Sequence, residues 1–277
     1  MNSQDHIDYL TIGHICNDLT PAGTVIGGAA AYGATVAQIL GCRTAVVTSS
    51  APDDDWQTAL PGTTIYVKPS PNTTLFENVY TTEGRIQTIH AVAGQLTSED
   101  IPSAWQRASI VYLGPIANEV DPDIIHLFSN SLVGLGPQGW MRRWDNQGTV
   151  SAGQWAVAEQ YLRLAAAVFV SEEDLADGEM LNKYREWSRL LVLTRGPDGC
   201  TIFFGDEIRQ FPTYSVPVVD TTGAGDIFAA AFLVRLFQTG GNPSEAARFA
   251  NKAASLSISV SGLSEIRKAL SAQLVVE

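Results

Sequence analysis

Short apolar runs and runs of small residues alternate along the first fifty positions. Residues 9–16 are apolar and rich in strand formers, and they stop at the polar pair Asn17-Asp18, which predicts a strand handing over to a loop. Residues 28–40 are small or apolar, contain no proline and end at Gly41, the pattern of a helix packed closely on a sheet and stopped by glycine. Residues 43–49 then read as a second buried strand. Strand, helix and strand within about 40 residues mark a parallel α/β unit.

The pattern changes at residues 73–80 and 85–91, where polar and apolar positions intermix around a turn at Glu83-Gly84. A β-hairpin is expected there. Inserted in an α/β chain, such a hairpin cannot bury both faces in the main core, so it should project as a lid. Buried strands resume at 108–113, 132–135, 166–170 and 190–194, interleaved with helical stretches such as 123–128 and 154–164, and 214–219 also looks β-like. Three helices should follow, at 226–238, 244–259 and 264–272, separated by Gly240-Gly241-Asn242-Pro243 and by Gly262. With no repeat or interdomain linker, the expected organisation is one domain over residues 1–277 with a lid insertion at about 62–93.

Composition narrows the function classes. The chain has 277 residues, of which 45% are hydrophobic, with 17 basic against 29 acidic side chains and a net charge of -12. Enough core is available to exclude intrinsic disorder, and the acidic balance argues against nucleic acid or an anionic membrane surface as partner. Apolar runs fall far short of the 20 or so residues that span a bilayer. Residues 1–9 carry no basic stretch ahead of an apolar one, so the expected location is the cytoplasm. Cys16, Cys42 and Cys200 are scattered without zinc or disulfide spacing and read as plain thiols. His14 and His90 likewise lack ligand spacing.

The most informative stretch is Asp220-Thr221-Thr222-Gly223-Ala224-Gly225-Asp226, between the β-like 214–219 segment and an apolar helix. Its glycines let backbone amides approach a ligand, and the helix start adds the positive end of its dipole, which together make an anion hole without a lysine. Asp226 falls on the first turn, where a carboxylate can accept a proton. The plainer alternative makes Thr222 a helix cap and Asp226 a complement to the dipole.

With these residues in view, the chain resembles the PfkB/ribokinase family of carbohydrate kinases, whose C-terminal signature reads much like 220–226 followed by Ile227-Phe228-Ala229-Ala230-Ala231-Phe232. The likeness runs through most of the chain. Gly13 to Asp18 matches the family's first strand and its sugar-contacting aspartate, and Gly27-Gly28-Ala29-Ala30 its diglycine helix start. Thr194-Arg195-Gly196-Pro197-Asp198-Gly199 matches a nucleotide loop, Leu113-Gly114-Pro115 a strand end facing the substrate, and Phe76-Glu77-Asn78 through Arg85 a lid. The resemblance implies a ribokinase-like three-layer α/β/α fold with a mostly parallel central sheet and a small β-hairpin lid. It implies an ATP-dependent kinase acting on a hydroxyl of a small sugar or polyol, with Mg²⁺, as monomer or homodimer. Asp226 would be the catalytic base, with the amides of Gly223, Ala224 and Gly225 on the transferring phosphoryl group. Asp18, Gly27, Gly28, Tyr32 and Arg142 would meet the substrate, and Thr194, Gly196, Gly199 and Asn251 the nucleotide. Asp220 and nearby backbone oxygens would hold a monovalent cation, K⁺.

Two positions depart from the family pattern. Tyr32 stands where asparagine is usual, and Ser171-Glu172-Glu173-Asp174 replaces Asn-x-x-Glu near the metal. Asp174 or Glu173 can still supply oxygens to a water-rich Mg²⁺, while a capped helix start with acids in its first turn explains the same residues. The Gly-His-Ile-Cys-Asn-Asp start and Gln138-Gly139-Trp140-Met141-Arg142 look more like the myo-inositol kinase branch than like ribokinase. Arg142 and Arg143 are rare cations in the middle of the chain, one facing substrate or phosphate, or both on the surface. A nucleoside kinase of the same family, with Tyr32, Phe76 or Trp140 against a base, and a sugar-binding homologue without turnover stand as alternatives.

Overall fold

Apolar runs of four to seven residues form most of one nine-stranded sheet, in the order Glu207–Phe211, Cys200–Phe204, Leu190–Thr194, Ala167–Ser171, Leu132–Leu135, Ile110–Leu113, Tyr9–Ile12, Thr44–Ser50, Thr64–Pro69. The seven from Leu190–Thr194 onward are parallel, and an antiparallel hairpin closes the other edge. Thr44–Ser50 is buried at every position, as expected of a strand covered on both faces. This computed structural model describes residues 6–21, 23–81, 84–175 and 177–274. Glu83 of the anticipated turn lies outside the described residues.

Successive residues of each strand point to opposite faces and so feed two cores. Tyr9, Tyr112, Phe169 and Val192 pack with Val36, Phe228, Phe249 and Leu270, from the helices Ala29–Ile39, Ala224–Gln238, Pro243–Ser257 and Leu263–Leu274. Leu10, Val111, Val168 and Leu191 pack on the other face with Ile124, Trp140, Tyr161 and Tyr184. The result is a three-layer α/β/α fold. The chain runs outward from Tyr9–Ile12 first to Thr44–Ser50 and later to Ile110–Leu113, so the order reverses beside Ile12 and Leu113. Ligands of open parallel sheets bind at such a switch point, beyond the carboxyl ends of the strands.

A separate four-stranded sheet, ordered Gly23–Gly27, Cys16–Thr20, Leu75–Thr81, Gly84–Ala91, leaves the central strand at that end. Here the structure differs from the sequence reading. Asn17 and Asp18 lie in a strand rather than a loop, paired with Ile26 and Val25 on one side and with Leu75 and Phe76 on the other. The polarity of Asp18 reflects a sheet with one face on a cleft. Thr64–Pro69, placed in the insertion from sequence, pairs with Thr44–Ser50 in the main sheet, and the small sheet draws on residues 16–27 as well as the hairpin. A lone hairpin is marginal in water, and the two extra strands give this one a face to build on.

Other differences have local causes. Residues 214–219 are irregular, because Pro212 and Pro217 offer no N–H and the amides of Tyr214, Val219 and Asp220 donate instead to Ser255 Oγ and the Ile258 carbonyl. Pro122–Phe128 is a 3-10 helix capped by Asp121, and the 154–164 helix shrinks to Ala158–Leu162. The three C-terminal helices stand where expected. Cys16 and Cys200 are buried and Cys42 half-buried, all as free thiols. Among the described residues no helix is long and apolar enough to cross a membrane.

Candidate active site

The signature turn works as a hinge between the irregular segment and the helix Ala224–Gln238. Gly223 occupies the cap position with φ 74°, and a side chain there would meet the Tyr32 ring at 2.5 Å, so both conformation and space demand glycine. Asp220 rather than Thr222 shapes the turn, accepting the Thr222 N–H at 2.9 Å and the Ser261 hydroxyl at 2.8 Å. One expectation changes: the Ala224 amide donates to the Thr221 carbonyl at 3.2 Å, which leaves Gly223 and Gly225 as the amides to meet an anion. Gly225 is exposed, with open space beside its Cα.

Asp226 is the third residue of the helix and half-buried. Burial pushes its carboxyl up to about 7, helped by Asp174 and Asp18 and opposed by Arg142. Asp18, Asp174 and Arg142 therefore stand within electrostatic reach of this point of the helix, although 208 positions separate Asp18 from Asp226. An acid poised near neutrality can hold a proton or release it, as proton transfer from a hydroxyl requires.

Asp18 faces that point from the small sheet, 8% exposed, with Oδ1 accepting from Asn78 Nδ2 at 3.3 Å. Gln87 Nε2 donates in turn to Asn78 Oδ1 at 2.9 Å, so two amides on the lid hairpin orient the carboxylate. Gly27, opposite Cys16 on the next strand, lies beside this carboxylate, where any side chain would collide with Asp18 Oδ2. Gly28 caps the next helix with φ 94° and lies against the His14 carbonyl. Tyr32 is 4% exposed, with its hydroxyl 3.5 Å from the Ile26 carbonyl and its ring under Gly223. It fills the floor of the cleft. Arg142 donates to the Ile116 carbonyl at 2.7 Å and lies over the Phe76 ring, 5.3 Å from its centroid. Arg143 turns away to the carbonyls of Trp140 and Gln154.

On the opposite side Thr194 ends its strand with Oγ1 on the Val170 carbonyl at 3.4 Å, and Gly196 adopts φ 50° with open space above it. Two residues expected at the nucleotide do other work. Gly199 is pressed against the Phe211 carbonyl and the Thr213 amide. Asn251 is 4% exposed and spends Nδ2 on the carbonyls of Phe211 and Pro212, pinning the irregular segment to its helix.

Asp174 accepts from Gln138 Nε2 at 3.0 and 3.1 Å, whereas Glu173 is exposed and its amide is capped by Ser171 Oγ. Both acids line a pocket of about 150 Å³ shared with Gln87, Gln138, Arg142 and Ser151. Among the described residues no three His, Cys, Asp or Glu side chains cluster as a metal cage. The donors present fit Mg²⁺ held mainly by phosphate oxygens and water, with Asp174 contributing. Bound there, the ion would offset phosphate charge.

Sequence reasoning did not single out Gln87 or Glu119, and named Asn78 and Gln138 only as parts of the lid and of the 138–142 segment, without a role. Asn78 and Gln87 are cross-strand partners on the cleft face, shared with Phe76 and Ile89, and hairpin alternation would have found them. Gln138 and Glu119 carry no signal, since their roles arise from contacts made only in the fold.

Known proteins resemble this chain in sequence and in fold. Residues 151–269 match the family described as pfkB family carbohydrate kinase. Cytidine kinase of Thermococcus kodakarensis is 26% identical, over 82% of this chain and 87% of that one. Ribokinase of Bacillus subtilis is 49% identical over 69 residues, 24% of this chain and 23% of that enzyme. Apart from the cytidine kinase, the matches span about half or less of the curated relatives. A solved pyrophosphate-dependent kinase of the ribokinase family, complexed with a pyrophosphate analog and myo-inositol, superposes with a TM-score of 0.81 at 23% identity, covering 95% of this chain and 98% of that one. The fold is thus ribokinase-like.

Proposed function

We propose that this chain, which belongs through residues 151–269 to the pfkB family of carbohydrate kinases, phosphorylates a hydroxyl of a small sugar or cyclic polyol, myo-inositol being the first to try. One observation carries the reading: Asp226 stands on the first turn of a glycine-started helix and in electrostatic reach of Asp18. Asp18 accepts hydrogen bonds from two neighbouring hydroxyls of the acceptor, and Asn78 holds it for that task. The reacting hydroxyl then lies over Asp226, which takes its proton as the oxygen attacks the terminal phosphoryl group in line. The Gly223 and Gly225 amides and the helix dipole stabilise charge on that group. The small sheet excludes water above the site and so limits loss of the phosphoryl group to hydrolysis.

ATP with Mg²⁺ is the donor on this reading, with Thr194 and Gly196 beside the phosphates. K⁺ binds near Asp220. A second reading, a nucleoside acceptor, is favoured by the cytidine kinase likeness.

Coupled ADP release over a panel of sugars, inositols and nucleosides, with Mg²⁺ and K⁺ varied, separates these readings. A parallel series with pyrophosphate is followed by phosphorus NMR of the product. Turnover on polyols with ATP supports the proposal; turnover on nucleosides alone, or with pyrophosphate alone, replaces it. Ligand binding without product in any arm would make the chain a binding protein.

A further inference from the structure

Glu119 has no place in the chemistry above, yet it is 2% exposed at the switch point of the sheet. Its Oε1 accepts the N–H of His14 and of Ile116, both at 3.0 Å, and its Oε2 the N–H of Ile116 at 2.9 Å and of Ala117 at 2.7 Å. Among the described residues no Lys, Arg or His forms an ion pair with it. A carboxylate buried without a cation is costly unless hydrogen bonds satisfy it, and here three backbone amides do. The amides come from the segments that follow neighbouring strands, Tyr9–Ile12 and Ile110–Leu113. Glu119 therefore welds those two strand ends together.

What the weld supports is Arg142. The Ile116 carbonyl, one peptide from a held amide, accepts from Arg142 Nη1 at 2.7 Å. Asn118, in the left-handed conformation with φ 58°, donates Nδ2 to the Arg142 carbonyl at 2.9 Å. The short helix Gln138–Met141 that delivers Arg142 rests on the same loop, its Gly139 amide on the Pro115 carbonyl at 2.9 Å and its Trp140 indole on the Val120 carbonyl at 2.7 Å. Loop 115–120 thus grips Arg142 at side chain, backbone and preceding turn. The guanidinium so placed is, among the described residues, the cation that acts with Asp18 and Asp174 on Asp226, and the phenols of Tyr9, Tyr32 and Tyr112 and the thiol of Cys16 also lie within electrostatic reach of Asp226.

We infer that Glu119 is a positioning residue, whose pure-acceptor carboxylate fixes loop 115–120 so that Arg142 is held over the reaction centre. Only a group with four acceptor sites and no donor can meet three converging N–H groups, and a glutamine would aim its own NH₂ at one of them. The inference rests on the proposed kinase reading for its kinetic consequence and on geometry alone for the placement of Arg142.

The test has two arms. In the kinetic arm, Glu119→Gln should lower kcat about tenfold with donor KM unchanged, the loss of one well-placed charge interaction. In an Arg142→Ala background the same change should have little further effect, because both act through one guanidinium. Asn118→Gly keeps the backbone conformation and should give a smaller loss in the same direction. In the second arm, which needs no turnover, phenylglyoxal modification of Arg142 is followed by peptide mass spectrometry. Glu119→Gln and Asn118→Gly should each speed it severalfold, with modification of Arg163 as internal control. Unchanged Arg142 reactivity in folded variants overturns the inference, as do fully additive kinetic losses. If no variant nor the parent turns over any acceptor while Arg142 reactivity rises as expected, the kinase reading fails and the positioning role stands.

Discussion

On the donor side of the cleft, the groups that would meet a phosphate belong to the backbone of one continuous stretch, Asp220 to Asp226, and of the turn after Thr194. On the acceptor side they are side chains from segments as far apart as Asp18 and Arg142, each oriented by another side chain or a loop carbonyl. Backbone geometry is set by local sequence and tolerates little change, because a glycine at φ 74° has no substitute. A side-chain network is set by the fold and can be altered one bond at a time. Damage to the donor half should therefore appear in kcat and in folding, and damage to the acceptor half in acceptor KM, except at Arg142, which acts on Asp226 and so on kcat.

Asp226 belongs to both halves, so its substitution has the largest effect. Asp226→Asn should keep fold and donor binding while lowering kcat about a thousandfold, within the range of a lost general base. Near-normal turnover would show that the proton leaves by another route. Next in size is Gly223→Ala, which forces a side chain into the left-handed region at about 1–2 kcal/mol and drives it into the Tyr32 ring. About a hundredfold loss of kcat is expected, in the range of a displaced oxyanion donor. Combining it with Tyr32→Ala should recover part of the loss, and no recovery would mean that backbone strain alone decides.

The acceptor half should respond differently. Asp18→Asn removes a charge-assisted acceptor and should raise acceptor KM about 10-fold to 100-fold with donor KM unchanged. Asn78→Ala, which only frees Asp18 to turn, should raise the same KM about threefold, the scale of one neutral hydrogen bond. If either change fell on donor KM instead, the division of the cleft would be wrong.

The same division explains what could be read in the chain. The Asp220 to Asp226 turn and the strand after residue 190 were legible because local rules make them: contiguous glycines, a helix start and a buried apolar run. Asp18 was found but assigned to a loop, since a strand with one face on a cleft breaks the apolar pattern that marks strands. Asn251 was assigned to the nucleotide by resemblance alone, and nothing in the chain around it announces that the irregular segment takes its amide. Glu119 stayed invisible, and Gln138 was named without its role, because nothing near them in sequence announces three backbone amides or a carboxylate partner.

The smallest effect is thermodynamic and tests why Asp226 is poised near neutrality. Burial raises its carboxyl from the ordinary range near 3.9 to about 7 in the folded chain. Between those values the native state binds a proton that the unfolded state has lost, so this group makes stability fall as pH rises from about 4 to about 7, and above that its cost is constant. Asp226→Asn removes the cost. Because Asp226 keeps some solvent contact, solvent screening reduces the gain to about 1–2 kcal/mol at pH 8, a rise in Tm of roughly 3 °C for a chain of this size. At pH 4 parent and variant should melt together. An offset of the same size at both pH values would trace the gain to packing around the amide, and the strained ionisation that sets the donor half against the acceptor half would lose its support.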